Sequence, residues 1–276
     1  LIMKLFFNKI FGFVLIPLIY IIINFSLNYY IISSHEIKLN KNISILIVGD
    51  SHSQTGINPA QFHNAQNISQ KGEPLIITYW KIKEIFKSNT IDTLILSLSH
   101  QNISEYSDQS FYEPSWSNDI FKKYYSIFNF NDIKFRVKIN YAMFLKSIVK
   151  QTGLYPHKQH FNYLGKFIGT KKVNIKNAEA TVKRHFFISE KEHNISKLAL
   201  NSLTKIVNFC SENKIKLVIV SCPVTKKYYK NIPTKFHENF NNLINKFKAR
   251  IKIIDKSKNN YNDTLFADSD HLNING

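Results

Sequence analysis

The hydrophobic positions of this chain follow three patterns in turn. Across residues 5–32 they are nearly continuous and include Ile10-Phe11-Gly12-Phe13-Val14-Leu15-Ile16-Pro17-Leu18-Ile19-Tyr20-Ile21-Ile22-Ile23-Asn24-Phe25. Roughly 20 apolar residues are enough for a helix to cross a bilayer, so this stretch predicts one membrane helix. Farther along, short unbroken apolar runs end in turn residues: Ile45-Leu46-Ile47-Val48 before Gly49, then residues 93–98, 216–221 and 251–255. Runs of this length read as strands buried on both faces, as in a parallel sheet. Residues 65–69 suggest one more short strand. Between these runs, apolar positions recur at helical spacing over residues 75–88, 193–213 and 235–249. In the first of these helices the apolar face is drawn through Ile76, Tyr79, Trp80, Ile82, Lys83 and Phe86. Strands alternating with helices predict right-handed βαβ units. The expected fold is therefore α/β, a three-layer α/β/α sandwich around a central parallel sheet.

Over residues 109–190 the pattern becomes irregular. Helical pieces are expected at residues 119–128 and 138–150, with loops at residues 155–160 and 165–170. This is longer than a plain crossover needs. Two readings fit it: an insertion shaping a substrate cleft or lid, and a helical hairpin that only adds core. The predicted organisation is a membrane anchor and linker, residues 1–36, followed by a globular domain, residues 37–276. Lys4 and Lys9 precede the apolar span, while residues 33–36 carry little positive charge. That asymmetry places the domain on the extracytoplasmic side. A cleaved signal peptide is the competing reading, but no small-x-small cleavage site follows the span. Met3 is a candidate start, and the ending at Asn275-Gly276 is expected to fall short of the last helix of the fold.

Composition changes this picture little. A hydrophobic content of 44% with 14% aromatic residues supplies a core, which argues against disorder. The net charge of +18 would suit nucleic acid or an anionic surface. The lysines, however, are scattered among asparagine and isoleucine and form no basic helix or aromatic-interleaved stripe. Nucleic acid is therefore not expected as a partner, whereas an anionic envelope surface or polymer is compatible. Cys210 and Cys222 have no second thiol or histidine at metal-ligand spacing, and two buried thiols and a disulfide both fit. No metal or cofactor is expected.

The candidate chemistry lies at the two ends of the domain. Ser51, in Gly49-Asp50-Ser51-His52-Ser53, follows the carboxyl end of a strand, where open α/β sheets bind ligands. Near the other end comes Asp268-Ser269-Asp270-His271-Leu272-Asn273. A serine hydroxyl needs a base to become a nucleophile, and a histidine base needs a carboxylate to hold its tautomer. Asp268 and His271, three residues apart, can point the same way in one turn. Asp270 is the competing carboxylate. Asp50 is expected to brace the loop by accepting backbone N–H bonds, and His52 to touch substrate or cap the turn.

Together these blocks resemble those of the SGNH/GDSL hydrolase superfamily. The resemblance is nearest to membrane-anchored, cell-envelope members reading Gly-Asp-Ser-His first and Asp-x-x-His-Leu-Asn last, and it spans about residues 43–276. It implies a flavodoxin-like SGNH hydrolase fold, with Ser51, His271 and Asp268 as a catalytic triad. It also implies an oxyanion hole built from the Ser51 backbone, a glycine N–H and an asparagine side chain. Gly72 fits the glycine by position. For the asparagine the family has Gly-x-Asn-Asp, whereas this chain has Ser99-His100-Gln101-Asn102, without the glycine and aspartate. Asn102 is the candidate donor and His100 its rival. The implied activity is that of a serine esterase or O-acyltransferase acting on acyl groups of a cell-envelope glycan or related polymer. Two other classes compete. The altered third block suggests a catalytically weak or inactive assembly or binding factor for envelope polysaccharide. Asp50-x-His52 after an apolar strand suggests a metallophosphoesterase, although the Gly-Asp-x-x-Asp and Gly-Asn-His-Asp segments of that class do not follow.

Overall fold

The computed structural model describes residues 2–154, 160–175, 177–258 and 260–276. It opens with α1 (Ile2–Ser34), within which Phe6–Ser34 is long and apolar enough to cross a membrane. The domain then runs β1 (Ile45–Val48), α2 (Ser51–Gly56), β2 (Ala65–Asn67), α3 (Leu75–Ile85) and β3 (Thr93–Ser97). Next come α4 (Pro114–Tyr124), α5 (Tyr141–Ile148), α6 (Ala178–Phe186) and a hairpin of β4 (Phe187–Ile188) with β5 (Lys191–Glu192). It closes with α7 (Lys197–Glu212), β6 (Lys216–Ser221), α8 (Lys226–Lys230), α9 (Thr234–Phe247) and β7 (Lys252–Asp255).

The expected α/β architecture is present. Five strands form one parallel sheet in the order β2-β1-β3-β6-β7. The order reverses between β1 and β3, which opens a crevice at the carboxyl ends of those two strands. Side-chain alternation splits the sheet into two faces. Leu46, Val48, Leu94, Leu96, Leu217 and Ile219 face the main core, which includes Ile82 of α3, Ile206 of α7 and Phe240 of α9. On the other face Ile47, Ile95 and Val218 gather with Ile57 and Cys222. That layer is thin because the β1–β2 crossover holds only the six-residue α2 and one 3-10 turn. Ile45, Val220 and Ile254 consequently line an open groove of about 680 Å³. Cys210 and Cys222 are free, buried thiols that belong to the two opposite cores, and burial pushes each up to about 12.

Local chemistry moves several element boundaries. α7 starts at Lys197 rather than near residue 193 because Ser196 caps it, accepting from Ala199 N at 2.9 Å. α4 begins early because Pro114 occupies its first turn, where a missing N–H costs nothing. The helix expected over residues 138–150 starts at Tyr141, capped by Asn140, and continues past Ile148 as a π turn, Val149–Gly153. α6, α8 and the β4–β5 hairpin were not anticipated, although Ala178, Val182 and Phe186 recur every fourth residue on the buried side of α6. Of the loop expected at residues 155–160, all but His160 lies outside the described residues.

The apolar face drawn for α3 also needs correction. Lys83 is exposed, and the lysine facing the core is Lys81. Lys81 Nζ lies 2.6 Å from Glu73 Oε2 and donates to Ile68 O at 2.8 Å. Glu73 also accepts from Thr78 Oγ1 at 2.7 Å and Tyr124 OH at 3.0 Å. Burial pushes Glu73 up and Lys81 down, and their contact opposes both shifts.

Candidate active site

The β1–α2 turn is built on Gly49. Its φ is +130°, and an added Cβ would lie 2.3 Å from Ser97 Oγ and 2.8 Å from Ser53 Oγ. Only glycine both adopts that backbone and fits the space. Asp50 follows as the N-cap of α2. Its Oδ1 accepts from His52 N at 3.0 Å and Ser97 Oγ at 3.3 Å. Its Oδ2 accepts from Asn102 Nδ2 at 2.8 Å and Gln101 Nε2 at 3.3 Å. With donors on both carboxylate oxygens, Asp50 braces the turn. Ser51 is the first residue of α2, where leading N–H groups have no carbonyl one turn earlier.

The second block folds back on itself. Phe266 and Leu272 form an antiparallel bridge, and Ala267 N donates to His271 O at 2.8 Å. Asn273 Nδ2 clasps the base, donating to Thr264 O at 2.7 Å and Phe266 O at 3.2 Å. Thr225, the N-cap of α8, holds the tip through Ser269 O, with its N at 3.0 Å and its Oγ1 at 2.7 Å. His271 Nε2 is thereby placed 2.7 Å from Ser51 Oγ. Its Nδ1 lies 2.8 and 3.0 Å from the two oxygens of Asp268. Asp268 Oδ1 also accepts from the backbone N of Asp270 at 3.1 Å and of His271 at 2.9 Å. A carboxylate only accepts, so the Nδ1 proton faces Asp268 and Nε2 is left to receive the serine proton.

Two carboxylates act on this imidazole. Burial alone would lower the His271 pKa, but the Asp270 charge and the Asp268 hydrogen bond outweigh it and push it up to about 9. Burial raises Asp268, and the His271 hydrogen bond and charge overcome this, holding it well below the usual carboxylate range. Asp270 is buried, and burial raises its pKa. Its Oδ1 stands 3.6 Å from His271 Nδ1, beyond hydrogen-bond range, and its Oδ2 3.8 Å from His52 Nε2. The His52 and His271 rings lie 5.0 Å apart, and the buried His52 ring has no hydrogen-bond partner among the described residues. His52, Asp270 and His271 offer metal-ligand atoms within 4.8 Å of one another. Bonds of 2.0–2.1 Å to tetrahedral zinc put ligand atoms about 3.3–3.4 Å apart. His271 also has both nitrogens engaged, so the set suits proton transfer better than metal binding.

The expected oxyanion donors are placed unequally. Asn102 Oδ1 accepts from Ser99 N at 2.7 Å and Ser99 Oγ at 2.8 Å, while Nδ2 commits one of its two protons to Asp50. His100 turns towards α9, stacked on Phe240 at 4.2 Å with its Nε2 3.2 Å from His237 Nδ1. Burial lowers the His100 pKa to about 3. Gly72 occupies an exposed turn with φ +69°, which meets α2 through Lys71 N donating to Gln54 Oε1 at 3.1 Å. No hydrogen bond joins Gly72 or His100 to Ser51 among the described residues. A further layer was not visible in the sequence. The Tyr228 hydroxyl sits 2.7 Å from His185 Nδ1 and 3.3 Å from Gln101 Oε1, behind Asp50. His185 comes from α6, inside the irregular region, where no motif marked it. The same region touches the site's flank where Ile168 N donates to Gln54 O at 2.9 Å.

No protein-family model matches the chain, and no curated protein matches it. Among solved structures it is similar to the crystal structure of a "putative acylhydrolase" from Bacteroides fragilis, with 8% identity and a TM-score of 0.40 over 88% of this chain and 85% of that one.

Proposed function

We propose that the chain is a serine esterase or O-acyltransferase of the SGNH/GDSL type, acting on acyl groups of a cell-envelope glycan or related polymer. The observation that carries this reading is the unbroken series Ser51 Oγ, His271 Nε2, His271 Nδ1 and Asp268, joined at 2.7 and 2.8 Å. In the proposed reaction His271 takes the Ser51 proton as Oγ attacks the acyl carbonyl. The imidazolium formed is stabilised by Asp268 in contact and by the buried Asp270 charge behind it. The leaving alcohol receives that proton from His271, and water or a sugar hydroxyl then resolves the acyl-serine with the same imidazole as base. The N–H of Ser51 and the second Nδ2 proton of Asn102 are the proposed oxyanion donors, with the Gly72 N–H as a third. Held by α1, the domain acts outside the membrane, on the side opposite Lys4 and Lys9.

The second reading, an assembly or binding factor with a weakened site, is favoured by one feature. The Asn102 amide is tied to Ser99 and Asp50, which restrains it from turning freely towards a substrate oxygen. One experiment separates the two. The full chain is treated with a fluorophosphonate, and the adduct is mapped by mass spectrometry beside Ser51→Ala. An adduct on Ser51 is the expected result. An inert Ser51 in a folded protein that still binds polymer overturns the enzyme reading in favour of the binding factor.

A further inference from the structure

The region between α4 and α6 presents a surface that the proposed reaction does not use. Tyr141, Leu145 and Val149 are 54%, 60% and 47% exposed, at fourfold spacing along α5 and its π turn. That spacing lines one face of a helix. The other side is anchored in the core, where Phe144 packs on Phe121 and Phe128 with ring centroids 5.3 and 5.1 Å away. Leu154, just beyond, is also exposed. A contiguous apolar stripe of this kind marks an interaction surface on a soluble domain.

Two observations name the partner. The first is contact with α1. Asn28 Nδ2 donates to Thr152 O at 2.8 Å, Tyr20 OH donates to Leu154 O at 2.9 Å, and a Cβ on Gly153 would meet Ile21 Cγ2 at 3.2 Å. Residues 20 and 28 lie inside the apolar span and are about 12 Å apart along a helix. Residues 152–154 thus run along α1 into the stretch that would sit in lipid. Carbonyl groups at that depth need protein donors, and Tyr20 and Asn28 supply them. The second observation is charge. Residues 133–178 contain ten Lys and Arg and no Asp or Glu. Lys146 and Lys150 flank the apolar stripe and are exposed.

We propose that α5 and its π turn lie in the membrane interface beside α1, the apolar stripe in the lipid and the lysines against anionic headgroups. The domain is then held to the bilayer at two places and in one orientation. This inference rests on α1 crossing the membrane and is independent of the chemistry proposed for Ser51.

The test uses the full chain in vesicles of phosphatidylcholine and phosphatidylglycerol, three to one. Nitroxide labels are placed singly at Leu145→Cys, Val149→Cys, Phe13→Cys in α1 and Lys122→Cys on the exposed side of α4. Collision rates with oxygen and with an aqueous nickel chelate report depth. Labels at 145 and 149 are expected to be shielded from nickel several-fold relative to 122, approaching the label at 13. Equal nickel access at 145, 149 and 122, with 13 shielded, overturns the proposal and leaves the anchor in place. Spin–spin broadening at 145 or 149 overturns it in favour of a second copy of the chain. Nickel access at 13 overturns both this proposal and the anchor. Fluorophosphonate labelling of the same samples reports separately on Ser51.

Discussion

His271 stands between two carboxylates of different kinds, and its behaviour with pH follows from that. Asp268 is half-exposed and bonds Nδ1 directly, whereas Asp270 is buried and acts through its charge. A base must be neutral to accept the Ser51 proton. With the His271 pKa pushed up to about 9, Ser51 labelling by fluorophosphonate is expected to rise with pH from 6.5 towards 9. Asp270→Asn removes a charge that raises this pKa, so the rising limb should move to lower pH. An unmoved limb would assign the shift to Asp268 and Asp50. The same groups set a stability window. The raised His271 pKa stabilises the fold fully below 6.5, and that contribution is lost as pH climbs through about 9. The lowered Asp268 pKa stabilises it above 3.8, with the contribution lost in acid. The thermal midpoint of Asp268→Asn should therefore differ most from wild type between these limits. In activity, losses at Ser51 and His271 should be strongly non-additive, because either one disables the same proton transfer. If Asn102 is an oxyanion donor, as proposed, Asn102→Ala is expected to cost on the order of 10²–10³ in kcat, read as acyl transfer to water or a sugar.

At the scale of elements, two local devices hold the crevice. Gly49 lets β1 turn into α2 directly against Ser97 of β3, so the turn and the strand end form one unit. Gly49→Ala should leave little folded protein able to label Ser51, as measured by circular dichroism alongside labelling. The Glu73–Lys81 pair ties the start of α3 to the end of β2 and, through Tyr124, to α4. Lys81→Met strands a buried carboxylate and is expected to cost about 3–5 kcal/mol in urea unfolding. Adding Glu73→Gln removes the stranded charge and should recover part of that loss. A double variant no more stable than Lys81→Met would show that the carboxylate was not the cause.

For the whole molecule, α1 and the globular domain are coupled through the hydrogen bonds of Tyr20 and Asn28. The proposed orientation puts α4 outside the cytoplasm. With Cys210 and Cys222 both buried, Lys122→Cys is expected to react with a membrane-impermeant maleimide in intact cells. Labelling only after lysis would reverse the topology.

The sequence by itself determined the strands of the parallel sheet, the two blocks of the candidate site and the apolar span. Ile45–Val48 and Lys216–Ser221 are short branched runs stopped by turn residues, and such runs declare themselves whatever packs on them. Asp268 and His271 meet within one turn, so their pairing was also legible from spacing. Only the tertiary structure decided the rest, because it depends on contacts between residues far apart in the chain. Lys81 became a core residue because Glu73 and the Ile68 carbonyl lie beside it, which no helical periodicity encodes. Asn102 and Gln101 turned to Asp50, and His100 to Phe240, through the placement of the β3 loop between the β1 turn and α9. Asn24 and Asn28, apparent flaws in an apolar helix, are satisfied by Tyr20 O and Thr152 O, one a turn away and the other 124 positions along the chain.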